Sequence, residues 1–326
     1  MTQILITTVP FGQHNRLPLD LLDSLNLDYV VNPIGRKLVE EELISLVSDV
    51  EVLIAGTEPI TRKVMDSAPN LKLISRVGIG LDSVDLLAAR ERGIRVSYTP
   101  EAPAPAVAEL TIGLMLSLLR GIHISNLQIH SGEWSRFMGR RIPELTIGVI
   151  GTGRIGSRVL RRIAAFGTPR ILVNDLNPDP KLAPELKLNW VDKETIYKEA
   201  DLITLHLPLT RSTHHMIQEE QLRTMKSDAL IINTSRGGII VEEDLNRVLD
   251  SGHLSGAAID VFELEPYVGP LAQNFRCLLT AHMGSMSIDC RARMEIEATS
   301  EVVRWVSGEP LEGSVPDSEY LVQQHR

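Results

Sequence analysis

The 326-residue sequence has little cysteine and few aromatic residues. Its two cysteines, Cys277 and Cys290, match neither a metal-binding spacing nor a redox pair. A disulfide scaffold is therefore excluded, no metal site is expected, and a reducing cytoplasm is the expected compartment. Aromatic residues make up 4% of the chain, so the core must consist mainly of Leu, Ile, Val and Ala.

The sequence also lacks a long apolar run and an excess of positive charge. The longest apolar stretch, residues 110–119, is far shorter than the ~20 residues that cross a membrane. Residues 1–9 have no basic region and predict a first strand rather than a signal peptide. The 33 basic and 42 acidic residues give a net charge of −9, which disfavours binding to a phosphate backbone. We therefore expect no membrane and no nucleic acid as partner.

What the sequence does contain is an alternation of short β-rich runs with helical patterns, which is typical of βαβ units. In the first hundred residues the predicted strands are Gln3–Thr8, Tyr29–Val31, Val52–Ala55, Leu71–Ser75 and Ile94–Ser97. The pattern resumes with Leu145–Ile150, Ile171–Asn174, Leu202–His206, Leu230–Asn233, Ala257–Asp260 and Leu278–Thr280. The predicted fold class is therefore α/β with two doubly wound parallel sheets, in a chain long enough for two domains of ~150 residues.

Three other segments bear on the organisation of the chain. Pro100, Pro103 and Pro105 disfavour strand or helix interior and predict the crossover between two domains. A very apolar helix predicted over Val107–Ile122 would be buried within its own domain, against a second domain or against a second subunit. The polar residues 309–326 predict a loosely held tail.

A glycine pattern from Gly151 to Gly156 is the first feature that indicates chemistry. It follows an apolar strand and opens a predicted helix, which is the context that a dinucleotide site needs. Gly151 permits the tight turn, Gly153 lets the backbone approach a pyrophosphate, and Gly156 lets the helix pack on the strand. The pyrophosphate would meet the amides at the start of the helix, at Arg154 and Ile155. The alternative is a strand-turn-helix that binds no ligand.

Asp175 lies at the end of the next predicted strand, 19 residues after Gly156. A carboxylate there would accept hydrogen bonds from the hydroxyls of the adenosine ribose and repel a 2′-phosphate. The cofactor predicted is therefore NAD rather than NADP.

Three further strand ends carry side chains suited to hydride transfer. Arg236 would bind a substrate carboxylate through its guanidinium fork, and His282 would take the hydroxyl proton as the hydride leaves. A carboxylate beside His282 would hold its tautomer and raise its pKa, and spacing alone does not choose between Glu263 and Glu265. Each residue alone also has an ordinary explanation, as a surface ion pair, a solvated acidic loop or a structural histidine. Their position at the ends of strands of one sheet favours a common site.

With these residues the sequence resembles the D-isomer-specific 2-hydroxyacid dehydrogenase family, from about Val77 to Arg293. The resemblance implies two α/β domains with the active site in a cleft between them: a flavodoxin-like substrate domain of residues 1–99 and 286–326, and an NAD-binding Rossmann domain of residues 100–285. It implies Arg236, Glu265 and His282 as the catalytic set, which selects Glu265 over Glu263. Ala281 departs from the proline that the family usually has before the histidine.

The resemblance also implies binding residues. Those expected to contact NAD are Gly151, Gly153, Arg154, Ile155, Gly156, Asp175, His206, Pro208, Thr213, Thr234, Ser235 and Asp260. Those expected to bind the substrate are Arg76, Gly78, Ile79, Gly80 and Arg136. Within the family the phosphoglycerate dehydrogenases are most similar, so Arg76 and Arg136 are candidates for a substrate phosphate. A further arginine expected near the third strand is absent, because the chain has Gly56-Thr-Glu58 there.

The leading hypothesis is an NAD-dependent oxidoreductase of a small-molecule 2-hydroxy acid or 2-oxoacid, with D-3-phosphoglycerate and 3-phosphohydroxypyruvate as the first substrate pair. One alternative is a reductase of glyoxylate, hydroxypyruvate or another 2-oxoacid. A second alternative, of a different class, is an NAD-binding regulatory protein without turnover. The expected assembly is a homodimer or a dimer-based oligomer.

Overall fold

A computed structural model of the chain describes residues 3–179, 181–182 and 186–324. The chain divides into two compact units. Unit 1 comprises the residues up to Pro103 and those from Met286 onward, and unit 2 comprises Ala104–Ser285. Parts of the predicted domains, residues 1–2, 180, 183–185 and 325–326, lie outside the described residues.

The first segment of unit 1 alternates strands with short helices, as the sequence predicts. In chain order the elements are β1 (Gln3–Ile6), α1 (Leu17–Ser24), β2 (Asp28–Val31), α2 (Glu40–Leu46), β3 (Val52–Ala55), α3 (Arg62–Asp66), β4 (Leu73–Arg76), α4 (Leu86–Glu91) and β5 (Arg95–Tyr98). The strands form one parallel sheet in the order β2-β1-β3-β4-β5, the flavodoxin-like order. Every residue of β3 and β4 is buried, as expected for strands covered on both faces.

Unit 2 contains the second sheet. Its helices are α5 (Ala104–Arg120), α6 (Ile122–His130), α7 (Arg154–Ala164), α8 (Lys193–Glu199), α9 (Glu219–Thr224) and α10 (Glu242–Asp250). Its strands are β6 (Thr146–Ile150), β7 (Arg170–Asn174), β8 (Leu188–Trp190), β9 (Leu202–Leu205), β10 (Leu230–Asn233), β11 (Gly256–Ile259) and β12 (Cys277–Leu279). They form a parallel sheet in the order β12-β11-β10-β9-β6-β7-β8, which is the Rossmann order with one added strand. The predicted fold class is confirmed.

The core of unit 2 lies on both faces of this sheet. Alternate residues of one strand point to opposite faces, so Ile147 and Val149 of β6 belong to one apolar cluster and Ile150 belongs to the other. Unit 1 has a large cluster of its own, which includes Leu53, Ile74 and Val96. Each unit therefore has its own apolar core.

Helix α5 starts at Ala104 rather than at the predicted Val107, so Pro105 lies in its first turn. A proline is tolerated there, since the first N–H groups of a helix have no intrahelical partner. Of the helices in the described part of the chain, none alone is long and apolar enough to cross a membrane. The pair formed by α5 and α6 meets those criteria only together, and it is bent by 64°.

The second segment of unit 1 forms α11 (Ile288–Val306) and α12 (Asp317–Gln324). Helix α11 packs on β4, where the Ser75 hydroxyl donates to the carbonyl oxygen of Ala298 at 2.8 Å. The prediction of a loosely held tail is wrong for α12. Tyr320 of this helix is buried, and the Gln323 side chain accepts from the N–H of Leu86 at 2.6 Å, at the start of α4.

Candidate active site

The glycine turn between β6 and α7 has a different requirement at each glycine. Gly151 has a φ of +92°, and a Cβ there would lie 2.2 Å from the carbonyl oxygen of His206. At Gly156 a Cβ would lie 2.0 Å from the carbonyl oxygen of Gly151, so α7 packs directly onto the turn. Apart from Gly153 itself and its two chain neighbours, no atom of the described residues lies within 4 Å of a Cβ built at Gly153. The space beside Gly153 is open, as the approach of a ligand to this backbone requires.

The first turn of α7 adds an electropositive end to this open space. The helix begins at Arg154, and Gly153 at its N-cap provides no side-chain cap. The first N–H groups of a helix, here including that of Ile155, lack intrahelical partners and attract an anion. The turn therefore fits the pyrophosphate of a dinucleotide.

Asp175 is held beside the same turn, directly after β7. Its Oδ2 accepts hydrogen bonds from the N–H and the hydroxyl of Thr152, at 2.6 and 3.0 Å. Its Oδ1 accepts from the N–H of Asn177 at 2.9 Å. These bonds fix a partly exposed carboxylate next to the glycine turn, where a ribose hydroxyl would need its acceptor.

His206 follows β9, and its ring packs under the glycine turn rather than facing outward. Its Nε2 lies 3.1 Å from the Thr204 hydroxyl, whereas its Nδ1 is buried and has no hydrogen-bond partner among the described residues. Burial lowers the pKa of this imidazole to about 3, so His206 is neutral at physiological pH. Farther along the loop, the Thr213 hydroxyl donates to the carbonyl oxygen of the exposed Pro208 at 2.7 Å and accepts from the N–H of Thr210.

The turn after β10 presents Arg236. The Asn233 side chain closes this turn: its amide donates to the carbonyl oxygen of Arg236, and its Oδ1 accepts from the N–H and the hydroxyl of Ser235. Thr234 is buried, and its hydroxyl lies 2.9 Å from that of Thr111 in α5. The Arg236 guanidinium donates to the carbonyl oxygen of Ser235 at 2.6 Å. The side chains of Thr234 and Ser235 thus hold the turn.

Asp260 holds the loop that carries His282. It is buried after β11, and its Oδ1 accepts from the Thr280 hydroxyl at 2.6 Å and from the N–H of Met283 at 2.9 Å. Its Oδ2 accepts from the N–H of Gly284 at 2.9 Å, and its carbonyl oxygen accepts from the N–H of His282 at 2.8 Å. The carboxylate therefore fixes the residues on both sides of His282.

The structure brings Glu265 and His282 together. Nδ1 of His282 lies 3.0 and 2.9 Å from the two carboxylate oxygens of Glu265, and Oε1 of Glu265 also accepts from the N–H of Phe262 at 3.1 Å. Because a carboxylate only accepts, Nδ1 must carry the proton, and Nε2 of the neutral ring is then the free acceptor. His282 has a φ of +49°, an uncommon conformation for a residue with a side chain, of a kind often found at functional sites.

Arg236 and Glu265 lie on adjacent loops that touch. A Cβ at Gly237 would lie 2.0 Å from the carbonyl carbon of Phe262, so only glycine permits the two loops to approach this closely. Arg236 directly precedes Gly237, and Glu265 bonds the N–H of Phe262. The strand ends of unit 2 thus carry the arginine, the acid and the histidine at one edge of the sheet.

The predicted substrate residues of unit 1 lie at the last residue of β4 and in the loop after it. Gly78 has a φ of +142°, and its N–H donates to the Thr99 hydroxyl at 2.8 Å. Ile79 and Gly80 continue this loop and are partly exposed. Arg76 is buried, and its guanidinium donates to the carbonyl oxygen of Val77. Arg136 belongs to unit 2 and is exposed in the segment after α6.

Sequence reasoning missed the residues that hold these side chains in place. Thr152, Asn233 and Thr280 each bond a predicted site residue, yet polar residues in turns are too common to single out. Asn233 alone could have been found from the sequence, because an asparagine at a strand end often closes a turn through its own side chain.

The sequence is similar to those of several known proteins. Residues 112–284 match the NAD binding domain of the D-isomer specific 2-hydroxyacid dehydrogenases. The chain is 37% identical to a hydroxypyruvate reductase of Thermotoga maritima, over 82% of this chain and 88% of that protein. It is 36% identical to a glyoxylate reductase of Thermofilum pendens, over 82% of each chain. It is 38% identical to a D-3-phosphoglycerate dehydrogenase of Methanocaldococcus jannaschii, over 85% of this chain but 54% of that protein.

Solved structures show the same fold. The TT0316 protein of Thermus thermophilus superposes with a TM-score of 0.89 at 35% identity, covering 97% of this chain and all of that one. A D-lactate dehydrogenase of Aquifex aeolicus, solved in complex with NAD and lactic acid, has a TM-score of 0.84 at 26% identity. It covers 94% of this chain and 96% of its own.

Proposed function

The chain belongs to the family of D-isomer specific 2-hydroxyacid dehydrogenases and is an NAD-dependent oxidoreductase, and we propose that Arg236, Glu265 and His282 carry out its reaction. The observation that carries the proposal is the contact of Nδ1 of His282 with both oxygens of Glu265. Such a pair orients the imidazole and fixes its tautomer.

Each member of the set has one task. In the oxidation, Nε2 of His282 takes the proton of the substrate hydroxyl; in the reduction, it returns a proton to the substrate oxygen. Glu265 balances the positive charge of the imidazolium. The Arg236 guanidinium binds the substrate carboxylate through two parallel hydrogen bonds, which fixes the face of the carbon that reacts. The nicotinamide of NAD supplies or accepts the hydride.

We assign the NAD site to the glycine turn and the loops around it. Gly151, Gly153 and Gly156 form the cradle, and the amides of Arg154 and Ile155 meet the pyrophosphate. Asp175 accepts from the ribose hydroxyls, and its negative charge disfavours a 2′-phosphate. The expected preference is therefore for NAD over NADP. The loop residues His206, Pro208, Thr213, Thr234, Ser235 and Asp260 support this site mainly through their hydrogen bonds.

For the substrate, we propose a small 2-oxoacid without a phosphate, such as glyoxylate or hydroxypyruvate. Glu58 lies just after β3, at the edge of the unit 1 sheet where such sheets bind ligands. It is buried, and its carboxylate accepts from the N–H of Gly56 at 2.8 Å and from the Thr7 hydroxyl. A carboxylate at this edge disfavours a phosphate dianion on the substrate.

D-3-phosphoglycerate is the second candidate. The sequence likeness to the phosphoglycerate dehydrogenases favours it, with Arg76 and Arg136 as phosphate ligands. Against it, the buried guanidinium of Arg76 is already engaged by the backbone. The two candidates separate on the ratio of kcat/KM for hydroxypyruvate to that for 3-phosphohydroxypyruvate, each measured with NADH, which we expect to favour hydroxypyruvate.

The enzyme assignment itself has a direct test. Purified protein would be assayed with NAD on a panel of D-2-hydroxy acids and with NADH on the corresponding 2-oxoacids. Absence of turnover on the whole panel, with NAD still bound, would favour a regulatory NAD-binding protein instead. The intact catalytic set argues for turnover, because binding alone requires neither a proton acceptor nor its carboxylate partner.

We also propose a homodimer and a cytoplasmic location. Helix α6 exposes Ile122, Leu127 and Ile129, and the segment after it exposes Trp134 and Met138 by 83% and 95%. Apolar surface of this extent is typical of an interface between subunits. Sedimentation equilibrium should give the mass of two chains.

The cytoplasmic location is supported by the cysteines. Both are free thiols, as a reducing compartment favours.

A further inference from the structure

A cluster of two histidines and one glutamate lies outside the catalytic set. His214 and His215 lie in the loop after β9, which begins at His206, and Glu263 lies in the loop after β11. Nε2 of His215 is 3.1 Å from Oε2 of Glu263, and Nε2 of His214 is 3.8 Å from Oε1 of the same carboxylate. The three ligand atoms lie within 4.8 Å of one another.

This geometry suits a divalent transition metal. Tetrahedral zinc ligands at about 2.1 Å from the ion stand about 3.4 Å apart. The distances of 3.1 and 3.8 Å, each from one histidine to a different oxygen of Glu263, lie on either side of that value. The two imidazole rings are stacked with centroids 3.8 Å apart and planes inclined by 25°, and the Nε2 atoms of both rings approach the Glu263 carboxylate. Two histidines and a carboxylate form a common zinc ligand set that leaves a fourth position for water.

Hydrogen bonds from their N–H groups fix the main chain at all three residues. The N–H of His214 donates to the carbonyl oxygen of Thr210, and that of His215 donates to the carbonyl oxygen of Gly238, both at 2.7 Å. The N–H of Glu263 donates to Oε1 of Glu242 at 2.8 Å. His214 and Glu263 are about half exposed, so an ion has an open path to them.

We propose that His214, His215 and Glu263 bind a divalent transition-metal ion of the zinc class. The ion would join the loop after β9 to the loop after β11. The second of these loops also carries Glu265, two residues beyond the proposed ligand. Occupancy therefore stabilises the segment that positions the partner of His282, although the ion itself takes no part in the hydride transfer.

The proposal is tested on the untagged full chain, stripped of metal by a chelator and dialysed. Titration with Zn²⁺, followed by calorimetry or by competition with a chromophoric chelator, should give one site per chain. His214→Gln, His215→Asn and Glu263→Gln should each weaken Zn²⁺ binding by about tenfold or more, since losing even an outer-shell partner costs 10–100-fold. Asparagine is chosen at His215 because its φ is +50°, a conformation that asparagine tolerates.

Matched controls separate ligation from general charge attraction. Glu243→Gln removes a neighbouring exposed carboxylate, and His130→Gln removes an exposed histidine elsewhere; both should bind Zn²⁺ as the unchanged protein does. Thermal unfolding without metal shows whether each variant is folded, and Zn²⁺ should raise the melting temperature of the unchanged protein but not of the ligand variants. Absence of stoichiometric binding would overturn the proposal. So would binding that survives all three ligand substitutions but is lost in His282→Asn, since the ion would then sit on the catalytic pair.

Discussion

At the scale of single residues, the proton of the reaction depends on His282. His282→Asn keeps a residue that tolerates the observed φ of +49° but removes the titrating ring. A positioned general acid or base contributes about 10²–10⁴-fold to the rate, so kcat should fall by that factor. The Kd of NADH, read from nicotinamide fluorescence, should stay within about twofold, since the imidazole acts on the substrate oxygen.

His130→Gln serves as the control for removing a histidine, because His130 is exposed and distant in sequence from the catalytic set. It should retain the full kcat. A His282→Asn variant with unchanged kcat would remove this residue from the mechanism, and an equal loss of NADH affinity would assign it to the cofactor site instead.

Asp175 should set the choice of cofactor. Asp175→Ala removes the acceptor of the ribose hydroxyls and the charge that repels a 2′-phosphate. A hydrogen bond to a charged group contributes about 1.5–3 kcal/mol, so kcat/KM with NAD should fall about tenfold or more while that with NADP rises or stays constant. The ratio of the two values, measured on one substrate, is the readout.

Thr152→Val is the matched control for this change. It removes only the hydroxyl that bonds Asp175 and keeps the backbone N–H that donates to the same carboxylate oxygen. The ratio of NAD to NADP should change little. If both variants relaxed the preference equally, the order of the turn rather than the Asp175 charge would determine the cofactor.

At the scale of elements, local pattern predicts the buried strands well and the edge elements poorly. Runs such as β3 and β10 are apolar except for Asn233 at the end of β10, and their predicted and observed limits coincide. Strand β8 was missed, since it has three residues at the sheet edge, with Asn189 between Leu188 and Trp190. Helix α12 is amphipathic but polar overall, and it is stabilised by contacts of Tyr320 and Gln323 with a distant helix.

The same limit applies to the candidate site. The sequence places acids and a histidine at strand ends, because the period of the strands marks those ends. The sequence does not indicate which acid of the loop after β11 faces His282, because a loop has no regular repeat from which the directions of its side chains follow. The structure puts Glu265 on His282 and Glu263 on His215. That selection depends on how the two loops pack, which local pattern does not contain.

Asp260 connects the end of β11 to the loop of His282, so its effect belongs to this scale. In Asp260→Asn one carboxylate oxygen becomes an amide donor facing an N–H, and a buried unsatisfied polar group costs about 1–3 kcal/mol. We expect kcat to fall by at least about tenfold, because His282 lies between Thr280 and Met283, both of which bond this carboxylate. The Kd of NADH, measured by fluorescence titration, should rise by a smaller factor.

Thr280→Val removes one of the three side-chain bonds of Asp260 and should lower kcat by a smaller factor. If Asp260→Asn weakened NADH binding and preserved kcat, that result would contradict the positioning role. It would favour the direct NAD contact that the family resemblance implies.

At the scale of the whole molecule, unit 1 is completed by residues far along the chain. The hydrogen bond between Ser75 and Ala298 joins residues 223 positions apart. A second long-range group, with Arg291 bonded to Thr8, Pro10 and Glu295, is buried in the same unit. The local sequence pattern carries no information about such pairs of distant residues. It therefore cannot specify how α11 and α12 pack in unit 1.

The stability of the molecule in acid should depend on His206. This histidine has a pKa of about 3 in the folded chain, because burial disfavours the charged ring, against about 6.5 when unfolded. Between these values the unfolded chain binds the extra proton, so stability is lost as the pH falls from about 6.5 towards 3.

The change from pH 7.5 to 4.5 therefore provides a direct measurement. The unfolded His206 is almost fully protonated at pH 4.5 and the folded one is not, which corresponds to about 2–3 kcal/mol of stability lost through this residue. His206→Gln lacks that term, so its free energy of unfolding, from urea titrations at both pH values, should fall by about that much less than in the unchanged protein. His130→Gln should keep the original difference, because His130 is exposed. Equal losses in all three proteins would show that His206 is charged or accessible in the folded chain.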